Sequence, residues 1–242
     1  MLTMSKALCI IPARGGSKRI PGKNIKDFLG KPIIAYSIET ALNSGVFHEV
    51  MVSTDCEEIK KVSQSFGAAV PFLRSERASD DFASTLDVVK EVLDCYSRLE
   101  LQFESICVLY PTAPLAQVNH LKKGFKLLDE YNAVMPVSEF SYPVLRALTL
   151  NHGVANYKWI EFSVSRSQDL QKLYHDAGQW YWLKETSIKN NTTFPEKTYG
   201  MILNPNEVQD IDTFDDWSLA ELKYLRMNGS LRHLISKDSK FE

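Results

Sequence analysis

The 242-residue chain has almost no excess of either charge: 28 Lys and Arg stand against 30 Asp and Glu, a formal net charge of −2. A dedicated duplex-binding face needs a surplus of cations, so nucleic acid is excluded as the expected partner. The chain also lacks an apolar run approaching the roughly 20 residues of a membrane-spanning helix. Its opening carries only a short apolar stretch of strand character. No membrane partner is expected, and a cytoplasmic location is. Cysteine is scarce and scattered, at Cys9, Cys56, Cys95 and Cys107, with no Cys-x-x-Cys and no paired histidines, which removes a zinc site. Cys9 and Cys107 sit in strand-like apolar runs and read as reduced packing residues.

Two standard phosphate loops are missing as well. A Walker A loop places four residues between its first Gly and the Gly-Lys pair, whereas Gly16 and Gly22 enclose five, and Asn24 stands where the Mg²⁺-binding hydroxyl belongs. No Gly-x-Gly-x-x-Gly follows the first strand, so a nicotinamide-type nucleotide fold has no support.

What is present is the composition of an ordinary folded globule, 44% hydrophobic and 24% charged, long enough for one large domain. Short apolar runs alternate with helical patterns: Ala7–Pro12, Ile33–Leu42, Val50–Ser53, Glu57–Phe66, Ala68–Phe72, Leu86–Leu99, Ser105–Leu109, Val118–Tyr131 and Ala133–Pro136. This order predicts an α/β fold, a largely parallel sheet with helices on both faces and ligands at the carboxyl ends of the strands. After Pro136 the rhythm changes. Ala147–Leu150, the turn Asn151–Gly153 and Asn156–Glu161 predict a hairpin inside an inserted unit of about 137–182. Gly200–Leu203 resumes the alternation, Phe214–Met227 reads as a last helix closing a single domain over 1–227, and 228–242 is a polar tail of no legible role.

Charge is concentrated after the first strand. From Ala13 to Lys26 there are five basic residues and no acidic one. Gly15, Gly16 and Gly22 can turn backbone N–H groups toward a ligand, and Arg14 and Lys23 offer a forked donor and a point charge to phosphate oxygens. The loop reads as a polyphosphate cradle. A second cluster lies far along the chain, where Glu207–Asp216 holds five acidic residues and no basic one. On an extended segment Asp210 and Asp212 point to one side while Ile211 faces the core, giving a hard-cation site for Mg²⁺. Asp212 could instead cap the final helix, which leaves Asp210 without a task. Asp55, before the helical pattern from Cys56, reads as a helix cap.

The run Ile11–Asn24 resembles the signature loop of the CMP-sialic acid synthetase (acylneuraminate cytidylyltransferase) family. Agreement continues through Val52–Asp55, Phe72–Arg74 with Ala78–Asp80, Pro111–Pro114, Arg166–Leu170 and Asp210–Asp212. The resemblance implies a three-layer Rossmann-like nucleotidyltransferase fold with an inserted dimerisation hairpin, hence a homodimer. It implies attack of a sugar hydroxyl on the α-phosphorus of CTP, with Mg²⁺ as cofactor and pyrophosphate leaving. By matching position, Ala13, Arg14, Gly15, Gly16, Lys23, Asn24, Arg74 and Thr112 would bind the nucleotide. Arg14, Lys23, Asp210 and Asp212 would carry catalysis, and the two aspartates the metal.

The acceptor implied is a nine-carbon acidic sugar, with Tyr110, Arg166, Gln168 and Gln179 as its expected contacts. Tyr110 stands where many members carry Gln, and Gln179, Trp180 and Trp182 intrude where aliphatic residues are usual. This variant set is similar to the branch acting on pseudaminic acid, whose deoxy terminus and acylamino groups call for apolar walls; N-acetylneuraminic or legionaminic acid are the alternative acceptors. A nucleotide-binding regulator without catalysis is the other reading, disfavoured by the retained Asp210 and Asp212.

Overall fold

Strand β1 (Ala7–Pro12) is buried on both faces because its residues are apolar at every position. In the computed structural model, which describes residues 6–79, 83–192 and 194–230, this strand lies one position in from an edge of the main sheet. The chain then runs through the glycine-rich loop and the two-residue strands β2 (Asp27–Phe28) and β3 (Lys31–Pro32) into α1 (Ile33–Ser44). There follow β4 (Glu49–Ser53), α2 (Glu57–Ser65), α3 (Glu76–Ser79), α4 (Thr85–Arg98), β5 (Ser105–Leu109), α5 (Val118–Leu127) and β6 (Ala133–Glu139). Beyond these come β7 (Leu148–Asn151), β8 (Val154–Tyr157), β9 (Tyr174–Asp176), β10 (Trp180–Lys184), α6 (Glu185–Lys189), β11 (Thr198–Ile202) and α7 (Phe214–Met227).

The sheet order is β11-β6-β10-β5-β1-β4, with β9 paired to β6 outside this path. The mixed, mostly parallel character read from the sequence is present: β4, β1, β5, β6 and β11 share one direction, and β9 and β10 oppose it. Side-chain alternation divides the interior into two cores. Cys9 and Ile11 face α1, α2 and α5 through Ile34, Ile38, Ile59 and Leu121, while Leu8 and Ile10 face α4 and α6 through Val89, Val92 and Ile188. Three layers result.

β10 shows how that alternation sorts an aromatic run. Trp180 and Trp182, both fully buried, belong to the first core, and Tyr181 and Leu183 turn to the second. The tryptophans are therefore packing residues rather than pocket walls. Trp182 stacks on Phe47 at 5.0 Å and donates from Nε1 to Leu121 O at 3.1 Å. α5 approaches so closely that a Cβ at Gly124 would meet Trp182 Cδ1 at 2.6 Å.

Several expectations shift. Ala68–Phe72 forms only a single parallel bridge, Ala69 to Met51, because Pro71 has no N–H to continue the ladder. β10 falls partly inside the expected insert yet is an inner strand of the sheet. The hairpin is present as β7 and β8, joined at His152 and Gly153 with positive φ, and all eight of its strand residues are exposed. Helix α5 stops at Leu127, four residues before Tyr131. Asp80 and the tail from residue 231, including His233, lie outside the described residues.

Candidate active site

The site grows from a third, small core. Ile20 in the glycine-rich loop, Phe28, Ile33 and Tyr36 pack with Ile211, Trp217 and Ala220. Ile20 is 1% exposed and Ile211 0%, and burying one such side chain contributes about 1.5–3 kcal/mol. This packing draws the cationic loop and the distant acidic segment together. Ile211 faces inward as its flanking aspartates require. Lys23 seals the junction, its Nζ donating to Ile211 O at 2.6 Å and lying 3.7 Å from Asp212 Oδ1, while Arg19 Nη1 pairs with Asp212 Oδ2 at 2.7 Å.

The cap of α7 is Thr213, not Asp212. Thr213 Oγ1 accepts from Asp216 N at 3.2 Å, and Asp216 Oδ2 accepts from Thr213 N at 2.8 Å, a reciprocal capping box. Asp212 is thereby left for other work. Asp210 packs on Gly178, which sits at φ +62 in the left-handed region and brings its own Cα side within reach of the carboxylate. Partial burial, and then the neighbouring charge of Asp212, push the Asp210 carboxyl above its ordinary value. A bound cation would relieve both effects. Among the described residues no cluster of three His, Cys, Asp or Glu forms a ready-made metal cage. The pair instead fits a hard cation whose remaining ligands are phosphate oxygens and water.

Beside this junction opens a cavity of about 600 Å³, large enough for a nucleotide. Arg14, Arg19, Lys23, Asn24, Arg74 and Thr112 all line it. Arg74 is held by the end of β4: Nε donates to Ser53 Oγ at 3.0 Å and Nη2 to Ser53 O at 2.6 Å. Burial, with Arg14 adding like charge, lowers its pKa, although a guanidinium stays protonated. Asn24 is buried and donates to Arg14 O at 3.0 Å, which shapes the loop. Ser37 Oγ donates to Tyr110 O at 2.8 Å and fixes the turn that carries Thr112.

Other expected residues play different parts. Gly15 and Gly16 do not line the cavity, and the Gly15 N–H is engaged by Asp55 Oδ1 at 2.8 Å instead of facing a ligand. Asp55 is accordingly a clasp on the loop, not the cap of α2, whose N-cap is Cys56 with no side-chain cap bond. Space at Gly15 is tight: a Cβ there would lie 3.1 Å from Cys56 Cβ. Ala13 is buried and ties its N–H to Ser53 O at 2.9 Å, behind the cavity wall. Gln179 is 1% exposed and donates to Glu207 O at 2.5 Å, so it buttresses the site from beneath and does not line the large cavity. Arg166 and Gln168 lie on the exposed arm, Arg166 paired with Asp169 at 2.7 Å, because the chain leaves the sheet between β6 and β9.

Tyr110 lines the large cavity and also a smaller one of about 200 Å³, shared with Thr85 and walled by Val89, Val108, Met135, Leu183 and Phe194. Tyr181 joins it there, the two rings meeting edge-on at 5.5 Å. Tyr181 Oη donates to Asp176 Oδ2 at 2.7 Å, and burial followed by these neighbours drives its pKa up. Asp176, Thr85 and Arg19 line these cavities and were not singled out from the sequence, whereas Tyr181 is the one member of the aromatic trio Trp180–Trp182, a candidate set of pocket walls, that reaches a cavity. Strand alternation allows only one or two of the three to face a pocket, and it is Tyr181 that does so.

A cationic glycine loop at the end of β1, facing an acidic pair across a nucleotide-sized cavity in a three-layer α/β fold, defines a nucleotidyltransferase architecture. A family model described as "Cytidylyltransferase" matches residues 8–228, and the chain belongs to the cytidylyltransferase family. A pseudaminic acid cytidylyltransferase of Campylobacter jejuni is 45% identical over 228 residues, spanning 90% of this chain and 96% of the relative. A CMP-N,N'-diacetyllegionaminic acid synthase of Legionella pneumophila is 33% identical over 235 residues, 92% of this chain and 97% of its own. Among solved structures, a CMP:2-keto-3-deoxy-manno-octonic acid synthetase complexed with CTP shares the fold at a TM-score of 0.67 and 21% identity, over 93% of this chain and all of that one.

Proposed function

We infer that the protein couples CTP to pseudaminic acid, giving the CMP-sugar and pyrophosphate. The observation that carries this is the bond from Lys23 Nζ to Ile211 O at 2.6 Å, which joins the phosphate loop to the acidic pair beside one cavity. Arg14 and Lys23 hold the triphosphate and stabilise the charge that grows on the leaving pyrophosphate. Arg74, Asn24 and Thr112 orient the nucleoside. Asp210 and Asp212 would hold Mg²⁺, which would supply Lewis-acid screening of the phosphate charge there. CTP is a cytoplasmic nucleotide, and the chain is proposed to act there.

The acceptor is assigned to the smaller cavity. Its aliphatic walls suit a deoxy terminus and acyl methyl groups, and the Tyr110 and Tyr181 hydroxyls with Asp176 supply a few polar contacts. The 45% identical relative supports the same sugar. Arg166 and Gln168 reach an acceptor only from the exposed arm, which supports a homodimer in which the arm is covered by a second copy. Turnover of CTP measured with pseudaminic, legionaminic, N-acetylneuraminic and 3-deoxy-manno-octulosonic acids tests the assignment. Pseudaminic acid should give the highest kcat/KM, and an equal or better rate with N-acetylneuraminic acid would overturn it.

A further inference from the structure

Asp212 is faced by two cations of the glycine-rich loop, and they are held with unequal firmness. Lys23 is 18% exposed and fixed to the backbone at Ile211 O. The Arg19 side chain is 68% exposed, and Asp212 is its one ion-pair partner among the described residues. Its root is immobile, because the adjoining Ile20 is buried in the small core, so only the guanidinium is free to move. That same side chain lines the large cavity.

We propose that Arg19 is an exchangeable counter-ion. It occupies Asp212 while the cavity is empty and passes to the oxygens of the leaving diphosphate when a divalent cation takes its place on the carboxylate. The inference rests on reading Asp210 and Asp212 as cation ligands. An exposed ion pair is weak in itself, and a guanidinium forks onto phosphate oxygens at least as well as onto one carboxylate oxygen, so the exchange has a low barrier. A positive charge on a ligand oxygen also repels a free divalent ion. At the few ångströms separating them this weakens binding about five- to tenfold at low salt. Arg19 thereby favours entry of the cation together with the nucleotide over entry alone.

Mn²⁺ titrated into the full chain without nucleotide, with the free ion read by electron paramagnetic resonance, separates the possibilities. Arg19→Gln should bind Mn²⁺ about five- to tenfold more tightly than wild type at low salt, with the gap narrowing as salt is added. Pyrophosphate, assayed as a product inhibitor with Mg²⁺ present, should bind the same variant more weakly by a similar factor. If Arg19→Gln binds Mn²⁺ no more tightly while Asp212→Asn loses the ion, the counter-ion role is refuted and the acidic pair remains the cation site. If Asp212→Asn binds Mn²⁺ as wild type does, the acidic-pair reading itself fails, and the proposal with it.

Discussion

The nucleotide end of the molecule and its hairpin arm use apolar residues in opposite ways. Ile20 and Ile211 are 1% and 0% exposed, and their burial is what brings Lys23, Arg19 and the acidic pair into one neighbourhood. In the arm, Leu150, Val154 and Val164 are 74%, 62% and 91% exposed. At the first place hydrophobic packing within the chain positions charge. At the second, apolar side chains present a face that the chain does not cover, and contiguous faces of that kind mark association surfaces.

That contrast can be broken most severely at the junction. Lys23→Ala should lower kcat by about 100-fold or more, with a smaller change in KM for CTP, as loss of a donor aimed at developing charge does. Unchanged turnover would show that the lysine only fastens the loop. A change in the core should act on stability instead. Gly124→Ala forces a methyl group to within 2.6 Å of Trp182 and should cost about 1–3 kcal/mol in urea unfolding.

The arm should respond in the reverse sense. Leu150→Ser should alter unfolding of the isolated chain by less than about 0.5 kcal/mol. Light scattering should nevertheless report a lower mass than wild type at the same concentration, and an unaltered mass would separate the arm from assembly. A modest effect sharpens the reading of α7. The Thr213 hydroxyl, with backbone N–H groups of Thr213 and Asp212, holds the Asp216 carboxyl below its ordinary value. A depressed carboxyl stabilises the fold above its unfolded value of about 4, and that stability is lost as pH falls through the folded value. Asp216→Asn should therefore cost about 0.5–1 kcal/mol at neutral pH, and the difference from wild type should close in acid.

The α/β order was legible because strands such as β1 are apolar throughout and helices such as α4 are amphipathic, so period alone separates them. The phosphate loop and the acidic pair were legible because each is a local run of one charge. Their contact followed only from the family resemblance, since in the residues themselves it depends on Ile20 meeting Ile211 across nearly the whole chain. The acceptor residues were the least legible. Gln179 and Arg166 matched a motif, yet one is enclosed under the site and the other stands on the arm; which way a side chain faces depends on strand register, and Tyr181 faces the cavity only because its neighbours fill the opposite core.

The reversed direction of β10 has a bearing on how such enzymes diversify. β6 ends at Glu139 and β10 begins at Trp180, both at the ligand-binding edge of the sheet, so the intervening stretch is a detour that departs and returns on one side. Its outer part, residues 140–173, lies off the sheet, whereas residues 174–179 are tied to β6, to Asp210 and to Glu207. Exchanging residues 140–173 between relatives should therefore change the exposed face of the arm, while the walls of the smaller cavity, which come from α4, β5, β6 and β10, stay in place.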